Sequence, residues 1–195
     1  MKLSHAALFV LALPVSLAAQ QQAGNPAKDP ITAMFGRSIN NLHRNIAQAF
    51  DSIPESKFGY KPTPAQLTIG YIAQHVASDS YFFCNNFGTM KATLSAKDTT
   101  TADSVKAKWP KDTLVAKLKA SFAFCESAFA QLTDANLSDQ VTLTFGTNTS
   151  TRPRASMVFG HAMDMADHYS QLANYMRLNN ILPPSALPRP RPSGN

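Results

Sequence analysis

The chain has 195 residues, of which 15% are charged, and a formal net charge of +6. That is enough for one domain with a real core. Lys57, Lys61, Lys91, Lys106, Lys108, Lys117 and Lys119 lie scattered among acids and apolar residues, without the basic stripe and aromatic platforms of a nucleic-acid binder, so no nucleic-acid partner is expected.

Residues 1–20 read as a signal peptide. "MKLSH" gives a short basic start, "AALFVLALPVSLAA" an apolar run, and Ser16, Ala18 and Ala19 suit a peptidase cut near residues 18–20. Pro14 interrupts the run, which is short for a membrane span. No other segment reaches spanning length, and no cysteine sits where a lipid would attach. The mature protein is expected to be exported, periplasmic or secreted, with no stable membrane span after cleavage. Cys84 and Cys125 are then an even pair in an oxidising compartment. One disulfide between them is the expectation, and two buried free thiols are the alternative.

Residues 21–29 form a polar linker. From Pro30, apolar residues recur at helical spacing: Ile31, Phe35, Ile39, Leu42, Ile46, Phe50 and Ile53. Asp29 before Pro30 is the expected N-cap, and Pro54 the stop. A stiff loop holds Pro62 and Pro64. A second helix is expected from about Ala65 to Phe87, carrying Leu67, Ile72, Val76 and Phe83, with His75 midway and Gly88 as its stop. Residues 89–111 read as a long exposed connection with a short helical turn before Pro110. A third helix opens at Asp112 or Thr113, with its stripe on Val115, Leu118, Phe122, Cys125, Phe129 and Leu132. Cys125 therefore faces the core.

Residues 141–154, "VTLTFGTNTSTRPR", alternate like a strand and then turn. They are expected as an extended excursion between helices, not a sheet. The fourth helix spans about Arg154 to Asn179. Asn180 suits the left-handed position after it, and Pro183 and Pro184 forbid continuation. The Pro-rich tail, residues 183–195, is extended and could engage a partner in that form. The pattern makes residues 30–182 an all-α four-helix bundle, with a long connection between helices 2 and 3.

The closing helix carries a polar stripe. Asp164 and His168 are about 40° apart around a helix, and His161 lies within about 20° of His168, two turns earlier. Val158, Met165, Leu172 and Met176 surround them. A polar stripe in a core-facing seam is costly unless satisfied, and bundles satisfy such stripes with a metal held between facing helices. His75 offers the facing ligand. Two imidazoles and a carboxylate leave positions open on a divalent ion and suit Zn, Ni or Fe rather than Ca or Mg. Asp79 could accept from the His75 ring. Asp167 should face solvent. A hydrogen-bonded polar edge of a buried helix is the other reading. No Gly-rich phosphate loop, G-x-S-x-G elbow or CxxC is present.

"NLHRNIAQAFDSIPESKFGYKPTPAQLTIGYIAQHVA", "SDSYFFCNNFG", "SFAFCESAFAQL" and "DHYSQLANYMRLNNILPPSA" together resemble the DinB-like (DinB/YfiT) superfamily of four-helix bundles, in an exported paired-Cys variant. The resemblance spans about residues 30–186. It implies a metal held by three histidines, one on helix 2 and two at i, i+4 on helix 4. His75 and His168 match the first and last. Asp164 stands where the middle histidine belongs, and His161 is a possible substitute. Characterised relatives include metal-dependent thiol S-transferases and a thiol-dependent isomerase, and such bundles often dimerise. The resemblance implies a metal-dependent hydrolase or thiol transferase acting on a small molecule, possible as a homodimer. The competing expectation is a non-catalytic binding or structural bundle with a degenerate site.

Overall fold

The computed structural model describes residues 28–188. The expected signal peptide, most of the linker and the end of the Pro-rich tail lie outside them. Four long helices dominate: α1 (Pro30–Ser52), α2 (Ile69–Cys84), α5 (Lys111–Phe129) and α6 (Arg154–Leu178). Two short helices, α3 (Ala96–Thr100) and α4 (Asp103–Lys106), interrupt the connection between α2 and α5. α1 packs on α6 and α5, and α2 packs on the same two. Thus α1 and α2, consecutive among the long helices, sit diagonally across the bundle. This all-α architecture matches the sequence expectation.

The ends of the helices follow local chemistry. α1 begins at Pro30, where a missing N–H costs nothing. Asp29 does not cap it. The Asp134 carboxylate, far along the chain, accepts from the backbone N–H groups of Ile31 (3.0 Å) and Thr32 (2.7 Å). Asp29 accepts in turn from the Asp134 N–H at 2.8 Å. Ile31 stays half exposed, so this first turn docks through its backbone and not through the predicted apolar stripe.

α2 starts four residues later than expected, because Thr68 caps it by accepting from the Tyr71 N–H at 3.1 Å. Pro62 and Pro64 hold the preceding residues in a loop. α2 also stops at Cys84, short of Phe87, which is nonetheless fully buried. After α6, Asn180 takes φ 58°. The Asn180 N–H donates to the Arg177 carbonyl and the Ile181 N–H to the Met176 carbonyl, which closes the helix as a Schellman motif.

The excursion before α6 is a β-hairpin, where sequence reading allowed no sheet. β1 (Gln140–Phe145) and β2 (Asn148–Pro153) pair antiparallel, with Leu143 opposite Ser150. Gly146 opens the two-residue turn at φ +59°, a sign that glycine accepts freely. β2 is almost wholly exposed, so no buried face announces it.

The core has two lobes. One gathers Ile46, Phe50, Ile72, Val76, Leu118 and Leu172. The other gathers Ile39, Phe87, Leu132, Leu143 and Val158 around Cys84 and Cys125. The two cysteines form the expected disulfide, which joins α2 to α5.

Candidate metal centre

His75 and Asp79 lie one turn apart on α2, and Asp164 and His168 one turn apart on α6. The two i, i+4 pairs face each other across the α2–α6 seam. His75 Nε2 is 3.3 Å from Asp79 Oδ2, and His168 Nε2 is 3.4 Å from Asp164 Oδ1. The two imidazoles meet edge to face with ring centroids 4.9 Å apart. One donor atom from each of His75, Asp79 and His168 lies within 4.8 Å of the others.

The seam is graded in exposure. The His168 residue is only 8% exposed, whereas the His75 and Asp79 side chains are 32% and 29% exposed. The group therefore has a buried floor and a wet rim. Gln171 Oε1 lies 3.4 Å from His168 Nδ1, and the Gln171 amide donates to the Tyr175 hydroxyl at 3.2 Å. This chain fixes the His168 ring and leaves its Nε2 toward the seam. The Tyr71 ring, 6.1 Å from that of His75, flanks the rim.

The electrostatics call for positive charge. Burial raises the Asp79 carboxyl pKa above the ordinary value. His75 and His168 work against that rise, and Asp164 and Asp103 add to it. Burial works against protonation of His168, but the Asp164 hydrogen bond and charge, with Gln171 and Asp167, outweigh it and raise its pKa. Asp164 Oδ2 is buried and has no hydrogen-bond partner. A buried carboxylate oxygen left bare is expensive. Two imidazoles and two carboxylates, one of them with a bare oxygen, form a donor set that fits a divalent transition metal.

Two of the sequence-predicted ligands, His75 and His168, are thus brought together. Asp164 adjoins them through His168. Asp79, read as a hydrogen-bond acceptor, sits within the group itself; its i, i+4 spacing from His75 was the available signal. Asp167 is exposed, as expected. His161 does not join. It is fully buried, and its Nε2 lies 2.9 Å from His43 Nε2, in the disulfide lobe. His43 was missed, because it occupies an apolar register on α1 between Ile39 and Ile46. A hollow of about 290 Å³ lies on another flank of α2, floored by Ala77 and Leu114 beside Trp109, and does not include His75 or His168.

The fold has solved counterparts. The mycothiol-dependent maleylpyruvate isomerase superposes with a TM-score of 0.58 at 16% identity, covering 72% of this chain and 60% of its own. This chain therefore spans less than two thirds of that enzyme's length. A DinB-like protein from Bacillus cereus gives 0.58 at 17% identity, covering 77% of this chain and 93% of that one. A conserved protein from Enterococcus faecalis gives 0.55 at 16%, covering 76% and 96%. At such identities these likenesses carry the fold alone. No curated protein matches the chain. The sequence pattern of the DinB superfamily matches residues 39–172, well over half of the chain, and the chain belongs to that superfamily.

Proposed function

We propose that this is an exported metal-dependent hydrolase or transferase acting on a small molecule. A divalent transition ion, Zn, Ni or Fe, would be held by His75, Asp79 and His168, with the Asp164 carboxylate alongside at His168 Nε2. The observation that carries this reading is the convergence of His75, Asp79 and His168 from two facing helices, beside an aspartate whose buried Oδ2 has no hydrogen-bond partner. When bound, such an ion lowers the pKa of a small nucleophile, water or a thiol. The mycothiol dependence of the isomerase makes a thiol one candidate, and export favours water.

The protein's own residues divide the work. His75 and Asp79, on the wet rim, meet what arrives from solvent. Gln171 holds the His168 ring from Nδ1, which leaves Nε2 as the nitrogen that would meet an ion. Met165 and Leu172, fully buried behind the seam, keep water from the floor. The disulfide supports export, since such bonds persist in oxidising compartments.

The test is metal content of residues 21–195 purified without chelator, beside His168→Ala. About one ion per chain, lost in the variant, supports the reading and justifies a screen of small esters, amides and thiol acceptors. Protein that stays empty after incubation with Zn, Ni or Fe, with an unchanged melting temperature, overturns it in favour of a non-catalytic bundle.

A further inference from the structure

The second lobe holds chemistry that the first site does not use. His43 Nε2 and His161 Nε2 are 2.9 Å apart, and both residues are buried. One donor atom each from His43, His161 and Cys125 lies within 4.8 Å of the others, and Cys84 is bonded to Cys125. His161 Nδ1 is buried with no hydrogen-bond partner. We propose that Cys84, Cys125, His43 and His161 form a second metal site, of Cys2His2 type, which the disulfide closes and reduction opens to a tetrahedral divalent ion such as Zn2+.

The dimensions suit such an ion. With Zn–N near 2.0 Å and Zn–S near 2.3 Å, neighbouring donors in a tetrahedron stand about 3.3 to 3.8 Å apart. The imidazole pair is already near that spacing, and the sulfurs reach it once their bond opens. The ring planes are held. His43 stacks on Phe122 with centroids 4.0 Å apart, and His161 sits between Phe83 and Phe87 at 5.7 and 5.8 Å. Burial keeps both imidazoles neutral, the form that ligates. A hollow of about 410 Å³ beside Asn40, Arg44 and Ala47 reaches His43 from the surface and offers an entry path.

The chemistry balances with a dithiol reductant. The Cys84–Cys125 bond breaks, two protein S–H groups form, and the reductant leaves as its own disulfide. The ion then displaces both thiol protons to solvent, and the histidines bind through nitrogen lone pairs. With the disulfide intact no thiolate exists, so the oxidised protein lacks this site.

Cobalt(II) reads the site directly, because thiolate ligation gives a charge-transfer band that the sulfur-free His75 site cannot produce. Full-length mature protein is titrated with Co2+ before and after reduction by a phosphine. The expected result is one further equivalent per chain after reduction, with thiolate charge transfer and tetrahedral d–d bands, displaced by Zn2+. Both signals should vanish in the His43→Gln/His161→Gln double variant. A folded reduced protein with no further equivalent overturns the proposal. So does a thiolate band that survives in the double variant. If reduction unfolds the chain, recovery of helical circular dichroism on adding Zn2+, in wild type but not in the double variant, supports the site. Failure to recover overturns it.

Discussion

His75 on α2 and His168 on α6 stand edge to face, 4.9 Å between ring centroids, and each has an aspartate one turn away on its own helix. The arrangement gives the two carboxylates different jobs. Asp79 shares the cluster of donor atoms, while Asp164 reaches it through His168.

The two aspartates should therefore differ when removed. Asp164→Asn keeps the shape but loses the charge beside His168 Nε2, and metal affinity should fall about 10- to 100-fold. Asp79→Ala removes a donor and should cost more. Competition against a coloured chelator measures both. Equal losses would contradict the assignment.

Acid should loosen the disulfide lobe. Burial lowers the His43 pKa from 6.5 to about 4. Burial, then the nearby His43 charge, lowers that of His161 to about 3. The unfolded chain takes up these protons first as pH falls. Their contribution is complete above about pH 6.5 and drains away as pH falls toward 4 and 3. His168 works in the opposite sense. Its raised folded pKa adds stability below its ordinary value, lost as pH rises through the folded one. Urea midpoints should fall between about pH 7 and about pH 5, and His161→Leu should flatten the slope. A wild-type midpoint that does not move would count against a neutral pair.

Removing the cap on α1 should be felt at a distance. Asp134→Ala strips two backbone N–H groups of their acceptor and should lower the melting temperature, whereas Asp134→Asn should keep part of the loss at bay. Asp29→Ala should cost less, since it releases one backbone N–H and not two.

Gly70 marks a close crossing. A Cβ there would stand 2.3 Å from the Ala107 carbonyl oxygen, just past α4. Backbone cannot swing aside like a side chain. Gly70→Ala should cost about 1–3 kcal/mol by forcing the two segments apart, read from the shift in urea midpoint. A neutral outcome would mean that the α4 segment moves freely.

Much of this fold is legible in the chain. α1, α5 and α6 announce themselves through sustained apolar periodicity and proline at one or both ends. Asn180 reads as a left-handed residue because two prolines follow so soon. Other features hide for physical reasons. The apolar Leu67 keeps helical register in a loop, so periodicity alone carries α2 too far toward its N-terminus. The hairpin is threonine-rich and exposed on most of β2, and a strand without a buried face has little pattern to show. His75, Asp164 and His168 stand out because they break apolar stripes. His43 breaks one too, but a single histidine between isoleucines passes for core until α6 brings His161 beside it.

The disulfide also changes what a cut would mean. Cys84 and Cys125 are 41 residues apart, and the largely exposed segment with α3 and α4 lies between them. A protease that nicks this segment severs the backbone but not the molecule. Both fragments stay tethered, each keeping two long helices of the bundle, and they separate on a gel only after reduction.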